Sequence, residues 1–258
     1  MWSAGGRSRE LATAIAERYQ IPADDVVPAP VQGAVNDVWF LGDGLVARIP
    51  RGGGAPWAEL EKEAAVIPIA RRVGVRTPAV VTYDKSCTVV SVPYLVVERV
   101  HARDLAALNV GPRAAAGVYR SVGRSLAALH SARRSTVGSL TGVVTDEGGD
   151  PREVVERLAI DGYLDVQQAR WLAGWFTALE RRRPVDVEPV LIHGDVAPQN
   201  ILVDRESRDL AALVDWGDAA WADPAVDFAK VPLRAVPYVL EGYRSVRDDG
   251  TDWEARAL

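Results

Sequence analysis

The chain has 258 residues, 48% apolar and 25% charged, with a net charge of −5. That balance excludes a disordered chain and leaves ample material for a core, while the net acidity argues against a general nucleic-acid binder. No apolar run approaches the ~18 residues of a bilayer span, and a single cysteine, Cys87, excludes a disulfide framework or a cysteine-rich zinc site.

The N-terminus lacks the apolar stretch of a signal peptide and carries acidic residues early, so a cytosolic protein without a membrane partner is expected. Leu11, Ile15 and Tyr19 recur at helical spacing and predict an amphipathic helix over 8–19. The texture then changes to β. VVPAPVQG, VNDVWFL and LVARI read as three strands, turned at Gly33 and at the Gly42-Asp43-Gly44 reversal. A glycine-rich stretch, RGGGAP, leads into a helix over 57–73, in which Pro68 predicts a kink or a boundary near Ile67. AVVTY, TVVSV and PYLVVERV follow as further strands, so residues 1–100 predict an antiparallel sheet with an inserted helix.

After Val100 the pattern turns mainly helical. Ala116, Tyr119, Val122, Leu126 and Leu129 step by three and four, the mark of a long buried helix. Asp150-Pro151 predicts an N-cap followed by proline at the first helical position, and a further helix is expected over 166–183. Three short apolar runs, in PVLIHGD, NILVD and DLAALVDWGD, interrupt the helices before the chain returns to helix after Asp223-Pro224. The final GTDWEARAL carries the beginning of an amphipathic helical pattern. The expected class is α+β, with one part over 1–100 and a second over 101–258.

The polar residues with the strongest pattern stand at the ends of those short apolar runs. One run ends in His193-Gly194-Asp195, Asn200 follows five residues later, and Asp215 closes another run fifteen residues beyond that. Taken singly, each has a structural reading as a turn cap or a strand terminator. Together they supply a base and two hard oxygen ligands at places that packed strands can hold rigidly. Phosphoryl transfer with Mg²⁺ asks for such a set, because it needs positioning and charge neutralisation more than covalent chemistry. Asp195 would orient and deprotonate an attacking hydroxyl, and Asn200 and Asp215 would hold the metal against the phosphates.

H-G-D-x-x-x-x-N, then V-D-W-G, then A-D-P-A-V-D-F resembles the aminoglycoside phosphotransferase family. The resemblance runs from Val31 to about Arg247 and is sharpest over 190–228. It implies a two-lobed, protein-kinase-like fold, with residues 1–100 as a nucleotide-binding lobe and 101–258 as a catalytic and substrate-binding lobe. It also implies transfer of the γ-phosphoryl group of ATP or GTP to a small-molecule hydroxyl. By resemblance, Asp195 takes the base position and Asn200 and Asp215 the metal positions. His193 then supports the loop, Asp223 caps a helix and Asp227 is an internal tie. HGD in place of HRD, DWG in place of DFG and the lack of an APE element separate the chain from the protein kinases.

The nucleotide half departs from the family pattern. Arg48, in LVARIPR, stands where lysine is commonest; it keeps the charge but changes the geometry. Its helix partner could be Glu59, Glu61 or Glu63. Glu63 borders the apolar face and resembles the family's glutamate, whereas Glu61 points elsewhere. Gly33 with the Asn36-Asp37 turn is similar to a phosphate flap, although a plain hairpin fits a single glycine equally well. Glu98 and Val100, by family position, would offer backbone groups to the base. No Walker A loop, HExxH or Gly-x-Ser-x-Gly is present; His101 is isolated, and His130 ends a helical stripe as a packed or capping residue.

Residues 1–100 carry 11 basic and 11 acidic side chains and residues 101–258 carry 19 and 24, so the negative excess lies wholly in the second part. An acidic cleft favours a cationic acceptor, and Trp216, Trp221 and Trp253 offer aromatic faces to sugars or ammonium groups. Both features also have plain readings, as a soluble surface and as core packing. The expected acceptor is a cationic or sugar-bearing small molecule, such as an aminoglycoside or a macrolide. Two other readings fit: a metabolic kinase of choline-like or homoserine-like alcohols, and a nucleotide-binding pseudokinase.

Overall fold

The computed structural model describes residues 4–247 apart from 34, 147, 183–186 and 207. Helix α1 (Ala4–Glu17) precedes strands β1 (Val26–Pro28), β2 (Asn36–Leu41) and β3 (Leu45–Pro50), with Gly42 supplying the positive φ of the β2–β3 turn. Helix α2 (Ala55–Arg72) and strands β4 (Val80–Asp84) and β5 (Tyr94–Glu98) complete an antiparallel five-stranded sheet ordered β1-β2-β3-β5-β4.

Strand parity decides what each face of this sheet meets. Trp39, Leu41, Ala47, Ile49, Tyr94 and Val96 pack with Ala12, Ile15 and Ala16 of α1, and the Trp39 indole donates to Ser8 Oγ at 2.9 Å. The alternate residues Val46, Leu95 and Val97 pack with Leu60, Val66 and Ile67 of α2, in a core continuous with the rest of the molecule. Arg48 shares the parity of Val46, which brings it to the α2 face.

Two expectations for this part need correction. Helix α2 passes through Pro68 and ends at Arg72, because Val66, Ile67, Ile69 and Ala70 are buried around the proline and hold the turn despite the lost N–H. TVVSV forms no strand; the chain turns at Cys87, in the left-handed region, and only Val90 of the segment is sunk in the α1-side core.

Strand β6 (Ala102–Asp104) opens the second part, followed by helices α3 (Ala116–Leu129), α4 (Arg134–Val137), α5 (Pro151–Ile160) and α6 (Val166–Glu180). As expected, Asp150 caps α5, accepting from Arg152 N–H at 2.9 Å. Helix α6 ends three residues before the expected limit of 183. Strands β7 (Val190–Ile192), β8 (Ile201–Asp204), β9 (Leu210–Leu213) and β10 (Ala220–Ala222) come next. They form a β6-β8-β9 sheet and a β7-β10 pair. After Asp223 the chain makes a 3₁₀ turn over Pro224–Phe228, and the helix expected there, α7 (Val236–Arg244), begins only at Val236.

Helix α7 crosses α3 at two glycines. A Cβ on Gly123 would run into the Val239 carbonyl, and one on Gly242 into that of Arg120, so only bare backbone fits. The architecture is a two-lobed, kinase-like α+β fold, with an N-terminal antiparallel sheet and a mainly helical remainder. Among the described residues, no helix is long and apolar enough to cross a membrane. The GTDWEARAL segment, with Trp253, lies outside the described residues.

Candidate active site

The loop after β7 is set by a glycine and a buried acid. Gly194 has φ +83°, and a Cβ there would strike the Asp218 carbonyl, so the His193-Gly194-Asp195 turn cannot carry a side chain at its centre. Asp227, 1% exposed, accepts from His193 N–H at 3.0 Å, Gly194 N–H at 2.7 Å and the His130 ring at 2.9 Å. His130 is held in turn by the Tyr243 hydroxyl at 3.0 Å. Burial alone would raise the Asp227 carboxyl, but His130, His193 and the Gly194 N–H outweigh it and hold it below the usual carboxylate range. The internal tie expected at 227 is there, and His130 is its partner.

His193 is a support. Its Nδ1 accepts from Asp195 N–H at 3.2 Å, which leaves the proton on Nε2 to donate to the Val214 carbonyl at 3.1 Å. Burial lowers its pKa against the pull of nearby carboxylates, and the neutral ring lies 4.4 Å from that of Trp216.

The three residues singled out for chemistry converge. Asn200 Nδ2 donates to Asp195 Oδ2 at 2.7 Å and to the Asp195 carbonyl at 3.0 Å, which leaves Oδ1 as the acceptor end of the amide. Val214 N–H donates to the Asn200 carbonyl at 3.0 Å, continuing the β8–β9 pairing and setting Asp215 beside Asn200. Asp215 adopts φ +70°, a conformation that costs a non-glycine residue about 1–2 kcal/mol. Its carboxylate accepts from Arg48 at 2.8 Å, and Arg48 also donates to Glu63 at 2.6 Å.

Arg48 therefore joins the sheet, α2 and the end of β9. Its guanidinium is 15% exposed and Glu63 is 1% exposed, and Arg48 Nε and Glu63 Oε1 are buried without a hydrogen-bond partner. Burial, with Asp215 and Glu59 nearby, pushes the Glu63 carboxyl up to about 7 despite Arg48. Burial and the charges of Asp218 and Asp215 also raise Glu59. Glu61 points away, as expected, to an exposed pair with Lys85 at 2.7 Å.

Two further contacts fasten α2 and its trailing loop to the segment after Asp215. Lys62 Nζ donates to the Gly217 carbonyl at 2.7 Å, and the Trp216 indole to Thr77 Oγ1 at 3.0 Å.

Gly33, Glu98 and Val100 are joined to this group by no hydrogen bond or ion pair among the described residues. A Cβ on Gly33 would sit 3.1 Å from the Asn36 carbonyl, and Asn36 itself is buried with both amide atoms unpartnered. The Glu98 carboxylate accepts from Ala79 N–H at 3.0 Å, away from the cluster. Val100 uses its carbonyl for Ala102 N–H at 3.0 Å, and its N–H takes no backbone hydrogen bond among the described residues. Trp216 and Trp221 are fully buried, so the aromatic faces suggested for the acceptor are core packing at both positions.

Lys230 was not evident as a site residue. Its ammonium lies 3.1 Å from Asp195 Oδ1 and 3.3 Å from Asp218 Oδ2. Those two hydrogen bonds raise its pKa against the lowering effect of burial. Its rarity was the available signal, for only three of 30 basic residues are lysine.

No group of three or more His, Cys, Asp or Glu side chains is placed to hold a metal among the described residues. Mg²⁺ does not require one, since it commonly takes one or two protein oxygens and fills its octahedron with phosphate and water. Asn200 Oδ1 and the second oxygen of Asp215 are such hard donors.

The fold has counterparts among solved structures. Wild-type aminoglycoside 2′-phosphotransferase-IIIa, solved as a GDP complex, is similar with a TM-score of 0.76 at 21% identity, covering 96% of this chain and 86% of that one. A macrolide 2′-phosphotransferase apoenzyme from Brachybacterium faecium gives 0.70 at 21% identity, with 95% and 86% covered. Acyl-CoA dehydrogenase family member 11 from Pongo abelii is 24% identical over 234 residues, which are 84% of this chain and 30% of that protein. The chain thus spans less than a third of the length of the curated relatives it matches. The model of the phosphotransferase enzyme family matches residues 26–257, nearly the whole chain from β1 onward, and the protein belongs to that family.

Proposed function

We propose that the protein transfers the γ-phosphoryl group of ATP or GTP to a hydroxyl of a small molecule, with Mg²⁺ as cofactor. The expected acceptor is a sugar-containing antibiotic of the aminoglycoside or macrolide type, so that the activity confers resistance. Residues 1–100 would serve as the nucleotide lobe and 101–258 as the catalytic and substrate lobe. The observation that carries the reading is the convergence of the Asp195–Asn200 pair with the Arg48–Glu63–Asp215 bridge on the ends of β7, β8 and β9.

In this reading Asp195 accepts the proton of the attacking hydroxyl. Asn200 fixes the carboxylate through Oδ2, so that Oδ1, which the Lys230 ammonium also contacts, would take the proton. Asn200 Oδ1 and Asp215 would hold Mg²⁺, which when bound neutralises the phosphate oxygens. Arg48, held between Glu63 and Asp215, would set its positive charge beside the phosphates. The backbone at Glu98 and Val100 would receive the base, and the turn at Gly33 would cover the phosphates.

Two kinds of neighbour support an antibiotic acceptor. A relative of the same fold was solved with kanamycin and GDP, and another with streptomycin and ATP. Burial of Trp216 and Trp221 removes one argument for a sugar-stacking platform and favours a second reading, a metabolic alcohol as acceptor.

The test is nucleotide turnover with Mg²⁺ and ATP or GTP over a panel of aminoglycosides, macrolides, choline and homoserine. Asp195→Ala is expected to lower turnover by about 10²–10⁴-fold with nucleotide affinity nearly unchanged. Near-normal turnover in that variant would remove Asp195 from the base position.

A further inference from the structure

Lys230 sits two residues beyond the turn over Pro224–Phe228, on no element that carries the proposed chemistry, yet its ammonium reaches Asp195 Oδ1 and Asp218 Oδ2. The other oxygen of Asp195 is occupied by Asn200 Nδ2. Lys230 therefore touches the one oxygen left to receive a proton. The loop brings no cation of its own, because Val196, Ala197, Pro198 and Gln199 fill the space between Asp195 and Asn200. Half of the Lys230 side chain is exposed, so the ammonium stays within reach of an incoming ligand.

The residue type fits such a post. An ammonium has three rotatable donors and can hold oxygens of different groups at once. Lys230 already does so with two carboxylates, and a phosphoryl oxygen is a third acceptor of the same kind.

We infer that Lys230 is a positioning residue for phosphoryl transfer, holding Asp195 Oδ1 toward the acceptor and keeping a positive charge beside the moving phosphoryl group. The inference rests on the kinase reading above. As the acceptor oxygen bonds to the γ-phosphorus, the bond from phosphorus to the bridging oxygen breaks, and the nucleoside diphosphate leaves with that electron pair. The acceptor proton passes to Asp195 Oδ1. Lys230 keeps its protons throughout.

The experiment measures phosphate release from Mg-ATP and Mg-GTP with water as acceptor, so no acceptor need be known. Lys230→Met should lower kcat by about 100-fold and leave the nucleotide KM and the melting temperature in place; Lys230→Arg should recover most of the loss. A contact readout independent of turnover uses the low lysine count. After reductive ¹³C-methylation, Asp195→Asn should move the Lys230 signal and leave those of Lys62 and Lys85 unmoved.

Wild-type kcat in Lys230→Met, a joint loss of kcat, KM and melting temperature, or a Lys230 signal indifferent to Asp195→Asn would each overturn the inference while leaving the kinase reading intact. A wild-type protein that turns over neither nucleotide would bring down the kinase reading, and this inference with it.

Discussion

Asp227 and Glu63 are both carboxylates with 1% exposure, one under the loop after β7 and one under the N-terminal sheet, and their protons respond in opposite ways. Asp227 has donors on both oxygens and stays ionised below the usual range. Glu63 has Arg48 on one oxygen and nothing on the other, and its carboxyl rises to about 7. The difference separates two kinds of burial. A completed network holds its carboxylate ionised, whereas in an incomplete one burial prevails and the proton is kept.

The largest expected break in that contrast is Asp227→Ala. It leaves His130 and two loop N–H groups without their acceptor, and removal of one partner from a buried charged network costs about 3–5 kcal/mol. Denaturant unfolding would show that loss.

Glu63 sharpens the contrast through pH. Its folded pKa is raised, so the folded state holds a proton that the unfolded state has released, and stability falls as pH climbs from the unfolded value toward about 7. From the ordinary glutamate value of 4.5 to about 7, the full loss is about 3 kcal/mol at one pKa unit per 1.36 kcal/mol. Unfolding curves between those two pH values should show a steeper decline in wild type than in Glu63→Gln.

Asp227 works in reverse, since its depressed pKa gives stability that is present above the unfolded carboxylate value and lost as pH falls through the folded one. The smallest effect is expected for Lys85→Met. Its pair with Glu61 lies on the outside of the same helix that buries Glu63, and exposed pairs contribute about 0–1 kcal/mol. A melting temperature that shifts as far as in Asp227→Ala would show that burial is not what separates the two cases.

Residues whose neighbours are set by local periodicity could be read without coordinates. Glu63 borders the apolar stripe of α2, Arg48 shares the parity of Val46, and Asp195, Asn200 and Asp215 sit at the ends of apolar runs. Contacts made by distant segments could not. Lys230 reaches Asp195 only because the turn over Pro224–Phe228 folds back on the loop after β7, and no local pattern records that. Strands β6 and β10, at three residues each, are too short to show alternation and depend on β8 and β7 to exist. Trp216 stands at the end of an apolar run in both readings, and only its full burial, with the His193 ring and Thr77 against it, settles that it is packed inside.

The bonds from Lys62 to the Gly217 carbonyl and from Trp216 to Thr77 lace α2 to the tail of β9 at two points. Swinging the helix outward would strip both at once and strand a buried indole N–H. The α2 side of the sheet is thus stitched to the segment after β9, so that helix and strand end shift together or not at all.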